Sequence, residues 1–127
     1  MLAAVLTAMA LVFAQGVAFA DSGTDISKWQ GCVGSGQAAT AKASGVNFGF
    51  VKVTEGNGYT DSVADCTMQS LKANGIRRGV YHFARPDLGN SPEAEADWFV
   101  SQTRGYMHDG VIPVSDWEPS GSYKTWS

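Results

Sequence analysis

The sequence predicts an α/β protein built on a parallel sheet, and three observations carry the prediction. Apolar segments of strand length alternate with helical stretches at intervals of about thirty residues, the length of a βαβ unit. Most of these segments are near-continuously apolar, as strands covered on both faces are, rather than alternating apolar and polar. Polar side chains collect at or just beyond the segment ends, where folds of this kind hold their ligands.

The first strand is predicted over 24–27, Thr-Asp-Ile-Ser, followed by a loop at 31–35 and a short alanine-rich helix over 37–44 that ends at Gly45, a residue suited to a left-handed cap. The second strand is 48–53. The glycine-rich, polar stretch 54–60 reads as a loop, and Asp61 is placed to cap the next helix. That helix should bury Val63, Cys66, Ser70 and Leu71 and stop at Asn74-Gly75. The third strand is 79–83. After the loop 84–90, Ser91-Pro92-Glu93 supplies an N-cap, a proline at the first helical position and an acid beside the helix dipole, with Ala96, Phe99 and Val100 as the core stripe. The fourth strand is 111–117. Strands and helices in this order demand right-handed crossovers between parallel neighbours.

Residues 2–20 are uncharged and largely apolar, with Ala18 and Ala20 where a signal peptidase requires small residues, so 1–20 reads as a secretory signal. The rival, a membrane-spanning helix, is disfavoured by Gln15-Gly16 and by the short apolar core. The mature chain is therefore expected to be secreted and extracellular, without a stable membrane anchor. A formal net charge of −3 argues against nucleic acid as a partner. Two cysteines, Cys32 and Cys66, allow a single intramolecular disulfide, which an oxidising compartment favours over two buried thiols. Neither metal nor organic cofactor is implied: His82 and His108 are not spaced to complete a zinc site, and Gly34-Ser35-Gly36-Gln37-Ala38-Ala39 lies too far behind the first strand for a dinucleotide turn.

The chemistry is concentrated in Asp116-Trp117-Glu118 at the end of the fourth strand. Side chains two residues apart on a strand share a face. Two carboxyls brought together repel, and the pair can keep one protonated while the other stays ionised. Glycosidic cleavage needs both forms, a proton donor for the leaving oxygen and a negative charge beside an oxocarbenium-like transition state. Glu118 is the candidate general acid. On a surface strand the same spacing is only a solvated polar face, so weight falls on whether Asp25, Glu55, the segment 81–87 and the Asp116/Glu118 pair meet at one mouth.

Four segments in order, Asp25-Ile26-Ser27-Lys28-Trp29-Gln30-Gly31, Val51-Lys52-Val53-Thr54-Glu55-Gly56, Gly79-Val80-Tyr81-His82-Phe83-Ala84-Arg85-Pro86 and Pro113-Val114-Ser115-Asp116-Trp117-Glu118-Pro119, resemble the glycoside hydrolase family 25 lysozymes. The resemblance implies a modified β/α barrel of TIM type that cleaves the β-1,4 bond between N-acetylmuramic acid and N-acetylglucosamine of bacterial peptidoglycan. It further implies Glu118 as acid/base, Asp116 as the partner that orients or stabilises the reacting sugar, and Asp25 as a third carboxylate of the cluster. Asp25 is equally readable as a turn residue. Tyr81 and Phe83 are candidates for a saccharide-stacking wall, with core packing the alternative for Phe83. Glu55 is a candidate at the pocket edge or a loop charge, and His82 reads as structural. Trp117 should pack under the helices.

A complete β/α barrel takes eight strands and about 250 residues. The four strands placed here make residues 21–127 the expected N-terminal half of such a barrel, truncated after about four β/α units and of little activity alone. Two rivals stand beside this reading. A family 18 chitinase-like glycosidase also ends a strand on Asp-x-Glu but places another Asp where Val114 stands; a non-catalytic glycan-binding fragment would bind without cleaving.

Overall fold

The computed structural model describes residues 21–118, so the signal expected at 1–20 and the last residue of the fourth motif, Pro119, lie outside the described residues. Five strands, β1 (Ser22–Ile26), β2 (Val46–Glu55), β3 (Tyr59–Thr60), β4 (Arg77–Phe83) and β5 (Ile112–Asp116), are joined by helices α1 (Ser35–Ala43), α2 (Ala64–Ala73) and α3 (Pro92–Thr103). The sheet order is β1-β2-β4-β5, with these four parallel, and β3 adds an antiparallel pair to the end of β2. The chain thus has the parallel α/β architecture that the alternating pattern predicts.

Two short 3-10 turns follow strand ends, at Lys28–Gln30 and Pro86–Leu88. The core lies between the sheet and helices: Ile26, Val51, Val53 and Val80 from strands pack with Ala38 of α1 and Ala64, Met68 and Leu71 of α2. Phe48, Phe50, Gly79, Ile112 and Val114 line clefts on the opposite side of the strands. There glycines make room for rings. A Cβ at Gly79 would stand 2.1 Å from the Phe50 ring, and one at Gly23 would stand 2.0 Å from the Phe48 ring, so neither position can carry a side chain while the rings stay in place.

Four local readings differ from expectation. The stretch 54–60 is not a plain loop: β2 runs on to Glu55, and the chain turns through Gly56 and Gly58, both at positive φ, into β3. Thr54 and Glu55 look loop-like by residue type, but Thr54 Oγ1 meets His82 Nδ1 at 2.8 Å and Glu55 pairs with Lys52 and Arg85, so their polarity is satisfied by neighbouring side chains. The α2 face is Ala64, Thr67, Met68 and Leu71, one position off the expected stripe. Asp61 lies ahead of that helix. Its buried carboxylate accepts from Val63 N at 3.0 Å and from Lys28 N at 2.9 Å, tying the start of α2 to the turn after β1.

On α3 the expected stripe is also displaced. Ser91 caps it by accepting from Ala94 N at 3.2 Å, as the Ser-Pro-Glu signal predicts. The inward residues are Glu95, Phe99 and Thr103 at four-residue spacing, while Ala96 and Val100 face out. A charged residue wins the inward position because His82 of β4 waits there to bind it. The cysteines form the expected disulfide, linking the loop before α1 to α2 with Cα atoms 6.0 Å apart.

Candidate active site

β1 and β5 are at opposite ends of the sheet order, three strand spacings apart, which would hold them about 14 Å from each other in a flat sheet. Yet Asp25, at the penultimate position of β1, and Asp116, at the last position of β5, line one cleft together with Phe50, Tyr81, Val114 and Glu118. The sheet therefore curls, and its concave face gathers residues from four strands. Register explains the levels: Asp25 sits beside Phe50, Lys52 beside Tyr81, Tyr81 beside Val114 and Phe83 beside Asp116.

Asp116 is the electrostatic focus. Burial pushes its pKa up, the neighbouring charges of Glu118 and Asp25 push it further, and Lys52 pulls against them. Tyr81 is also raised, to about 12, first by burial and then by the charges of Asp25, Asp116, Asp61 and Glu118. A phenol held protonated beside carboxylates is a hydrogen-bond donor under all ordinary conditions. Glu118 is exposed at the rim, two residues past the end of β5. Trp117 is 51% exposed and lines the same cleft, rather than packing under the helices. Strand alternation no longer governs it, because β5 ends at Asp116.

Glu55 and Phe83 occupy a second tier beside the cleft. Glu55 pairs with both Lys52 and Arg85, and Arg85 pairs with Asp87. Burial alone would raise the Glu55 carboxyl, but hydrogen bonds and charge from Lys52 and Arg85 outweigh it and hold the pKa below the usual range. The same bonds, from Asp87 first and then Glu55, keep Arg85 firmly protonated. Phe83 lies under Lys52, whose ammonium is 4.8 Å from the ring centre. Lys52 is only 8% exposed, and it joins the two tiers: it is bound by Glu55 and lends its charge to Asp116.

Sequence reasoning missed Lys52, Arg85 and Glu95. The first two sit inside the quoted motifs but read as ordinary strand and loop cations; only the fold brings both onto Glu55. Glu95 lies fully inside, accepting from His82 Nε2 at 2.9 Å, from Arg85 N at 3.0 Å and from Asn90 Nδ2 at 3.2 Å. His82 is accordingly a satisfied structural residue, as its place on the helix side of the strand suggests. Glu95 lies in the first turn of α3, where an acid reads as a partner of the helix dipole, so nothing in the sequence marked it as buried.

The sequence pattern of the family described as "Glycosyl hydrolases family 25" matches residues 24–127. "Lysozyme M1" of Streptomyces globisporus is 36% identical over 105 residues, which is 79% of this chain and 34% of that protein. "N,O-diacetylmuramidase" of Chalaropsis sp is 34% identical over 105 residues, 79% of this chain and 48% of that one. Among solved structures, the muramidase from Acremonium alcalophilum superposes with a TM-score of 0.70 at 33% identity, over 82% of this chain and 50% of its own. The chain spans about a quarter to a half of the length of the curated relatives it matches.

Proposed function

Because this chain belongs to glycosyl hydrolase family 25, we propose that the protein is a secreted lysozyme that hydrolyses the β-1,4 bonds between N-acetylmuramic acid and N-acetylglucosamine in bacterial peptidoglycan. The observation that carries this reading is the meeting of Asp25, Asp116 and Glu118 in one cleft beside Tyr81. In it Glu118, at the open rim, protonates the leaving glycosidic oxygen. Asp116 stabilises or orients the reacting sugar, and Asp25 adds negative potential where positive charge develops at the anomeric carbon. Close carboxyls share their protons as a group, so burial and repulsion at Asp116 are part of how the cluster keeps a proton available. The Tyr81 hydroxyl donates to substrate or carboxylate, and Phe83 with Lys52 supports the wall behind it.

We read residues 21–127 as the N-terminal half of a β/α barrel, with 1–20 a cleaved signal. Support comes from the concave apolar face, where Ile112 is 57% exposed, and from β1 and β5, each paired on one side only among the described residues. A half barrel leaves its groove without one wall, so residues 21–127 alone should show little activity.

The test is clearing of a peptidoglycan suspension by the full-length protein and by Glu118→Gln. Removing a general acid should slow clearing by about 10²–10⁴-fold. Equal clearing by both would refute the assignment, and wall binding without clearing in both would favour the glycan-binding alternative.

A further inference from the structure

Resting on the hydrolase reading, we infer that Lys28, Trp29 and Tyr59 form a subsite for a carboxylate carried by the glycan strand. Lys28 and Trp29 belong to the turn after β1, and Tyr59 opens β3, so all three stand at the strand ends that carry the candidate active site. The Lys28 ammonium lies 5.2 Å from the Trp29 ring centre and 5.0 Å from that of Tyr59. Tyr59 continues the series, with Lys52 5.5 Å from its ring and 4.8 Å from Phe83, whose register partner is Asp116. Cations and aromatic faces thus alternate from the exposed turn to the reacting carboxyls.

The two lysines differ in one decisive respect. Lys52 is answered by Glu55, whereas among the described residues Lys28 Nζ has no carboxylate within ion-pair distance. Asp61, the acid bonded to this turn, is buried and spends its oxygens on the Lys28 and Val63 backbone N–H groups. Trp29 is 82% exposed, an indole face open to solvent beside the Lys28 ammonium. The frame beneath is fixed: Gln30 Oε1 accepts from Ser27 N at 2.8 Å, and Trp98 Nε1 donates to the Tyr59 carbonyl at 3.0 Å. Two rings on a hydrogen-bonded frame, with one cation near both, suit a ligand that offers both a sugar face and an anion. Peptidoglycan offers carboxylates from two sources, the peptide stem and the lactyl group bared when the stem is removed.

The experiment uses full-length protein carrying Glu118→Gln, so that glycan persists, and titrates three soluble ligands: glycan strands with their peptide stems, the same strands stripped by an amidase, and a chito-oligosaccharide without carboxylates. Adding Lys28→Gln should weaken binding of at least one carboxylate-bearing ligand by about three- to tenfold, leave the chito-oligosaccharide unchanged, and lose its effect at high salt. Loss confined to stem-bearing strands assigns the peptide carboxylate; loss confined to stripped strands assigns the lactyl group. Lys28→Arg should restore affinity, and Trp29→Ala should weaken all three ligands. Unchanged affinity for every ligand on Lys28→Gln, or an equal loss on all three, overturns the inference. Failure of the hydrolase reading shows itself separately, as undiminished clearing by Glu118→Gln.

Discussion

Replacing Glu95 by alanine tests how the loop after β4, and through it the cation network at the cleft, is held. Glu95 is 1% exposed and accepts hydrogen bonds from His82 Nε2, Arg85 N and Asn90 Nδ2. Alanine leaves those donors without their acceptor. His82 is buried and the Arg85 N–H is bonded to a carboxylate that is itself buried, and losing the acceptor of such a donor costs about 1–3 kcal/mol, so the two together cost about 2–6 kcal/mol before any cavity is counted. We expect a loss of about 4 kcal/mol, a large fraction of the roughly 5–15 kcal/mol that holds a domain folded. With a urea slope of about 1–3 kcal/mol per molar, the unfolding midpoint should fall by roughly 2 M at unchanged slope. Glu95→Gln is the control. Its amide oxygen can serve His82 and Arg85 while its amino group faces Asn90, whose own amide can rotate to match, so its loss should stay under about 1 kcal/mol. An alanine loss below about 1 kcal/mol would refute the view that these bonds hold the loop, and a glutamine loss equal to alanine's would show that charge, not hydrogen bonding, is what matters.

Two further outcomes are expected. The disulfide closes a segment with a sequence separation of 34, so reduction or Cys32→Ser should destabilise the protein by about 4 kcal/mol on the chain-entropy account, read as a lower denaturation midpoint. Asp116 has a folded pKa above its ordinary value, so it favours the folded state below the unfolded pKa, and that contribution is lost as pH rises through the folded one. Thermal melts from pH 3 to 7 should therefore show Asp116→Asn gaining on the unsubstituted protein as pH rises. Because Lys52 opposes the shift, the gain should be larger when Lys52→Met is also present; an equal gain in both backgrounds would mean Lys52 does not act on Asp116.

What the chain states locally was enough for its element order and for its candidate chemistry. Ser91-Pro92 starts α3 because the cap and the fixed proline φ act within one turn, and Asp116-x-Glu118 flags two acids at a strand end, although β5 closes at Asp116 and it is the fold that sets Glu118 in the same cleft. The displaced stripes of α2 and α3 show the limit of such reading. A helix with apolar residues on several sides can turn either way, and partners on other elements decide: His82 draws Glu95 inward, and the disulfide takes Cys66 to the α1 side.

Residue type and spacing indicated a parallel α/β chain, a single available pairing of Cys32 with Cys66 and the acids worth watching, and the resemblance of four motifs pointed to the family. Only tertiary structure decided that Asp25 and Asp116, from opposite ends of the sheet order, share one cleft, and that Glu55 gathers Lys52 and Arg85. The physical reason is range. Caps, turns and alternation act over a few residues, whereas burial, sheet curvature and charge coupling depend on distances between segments far apart in the chain, which no local pattern records.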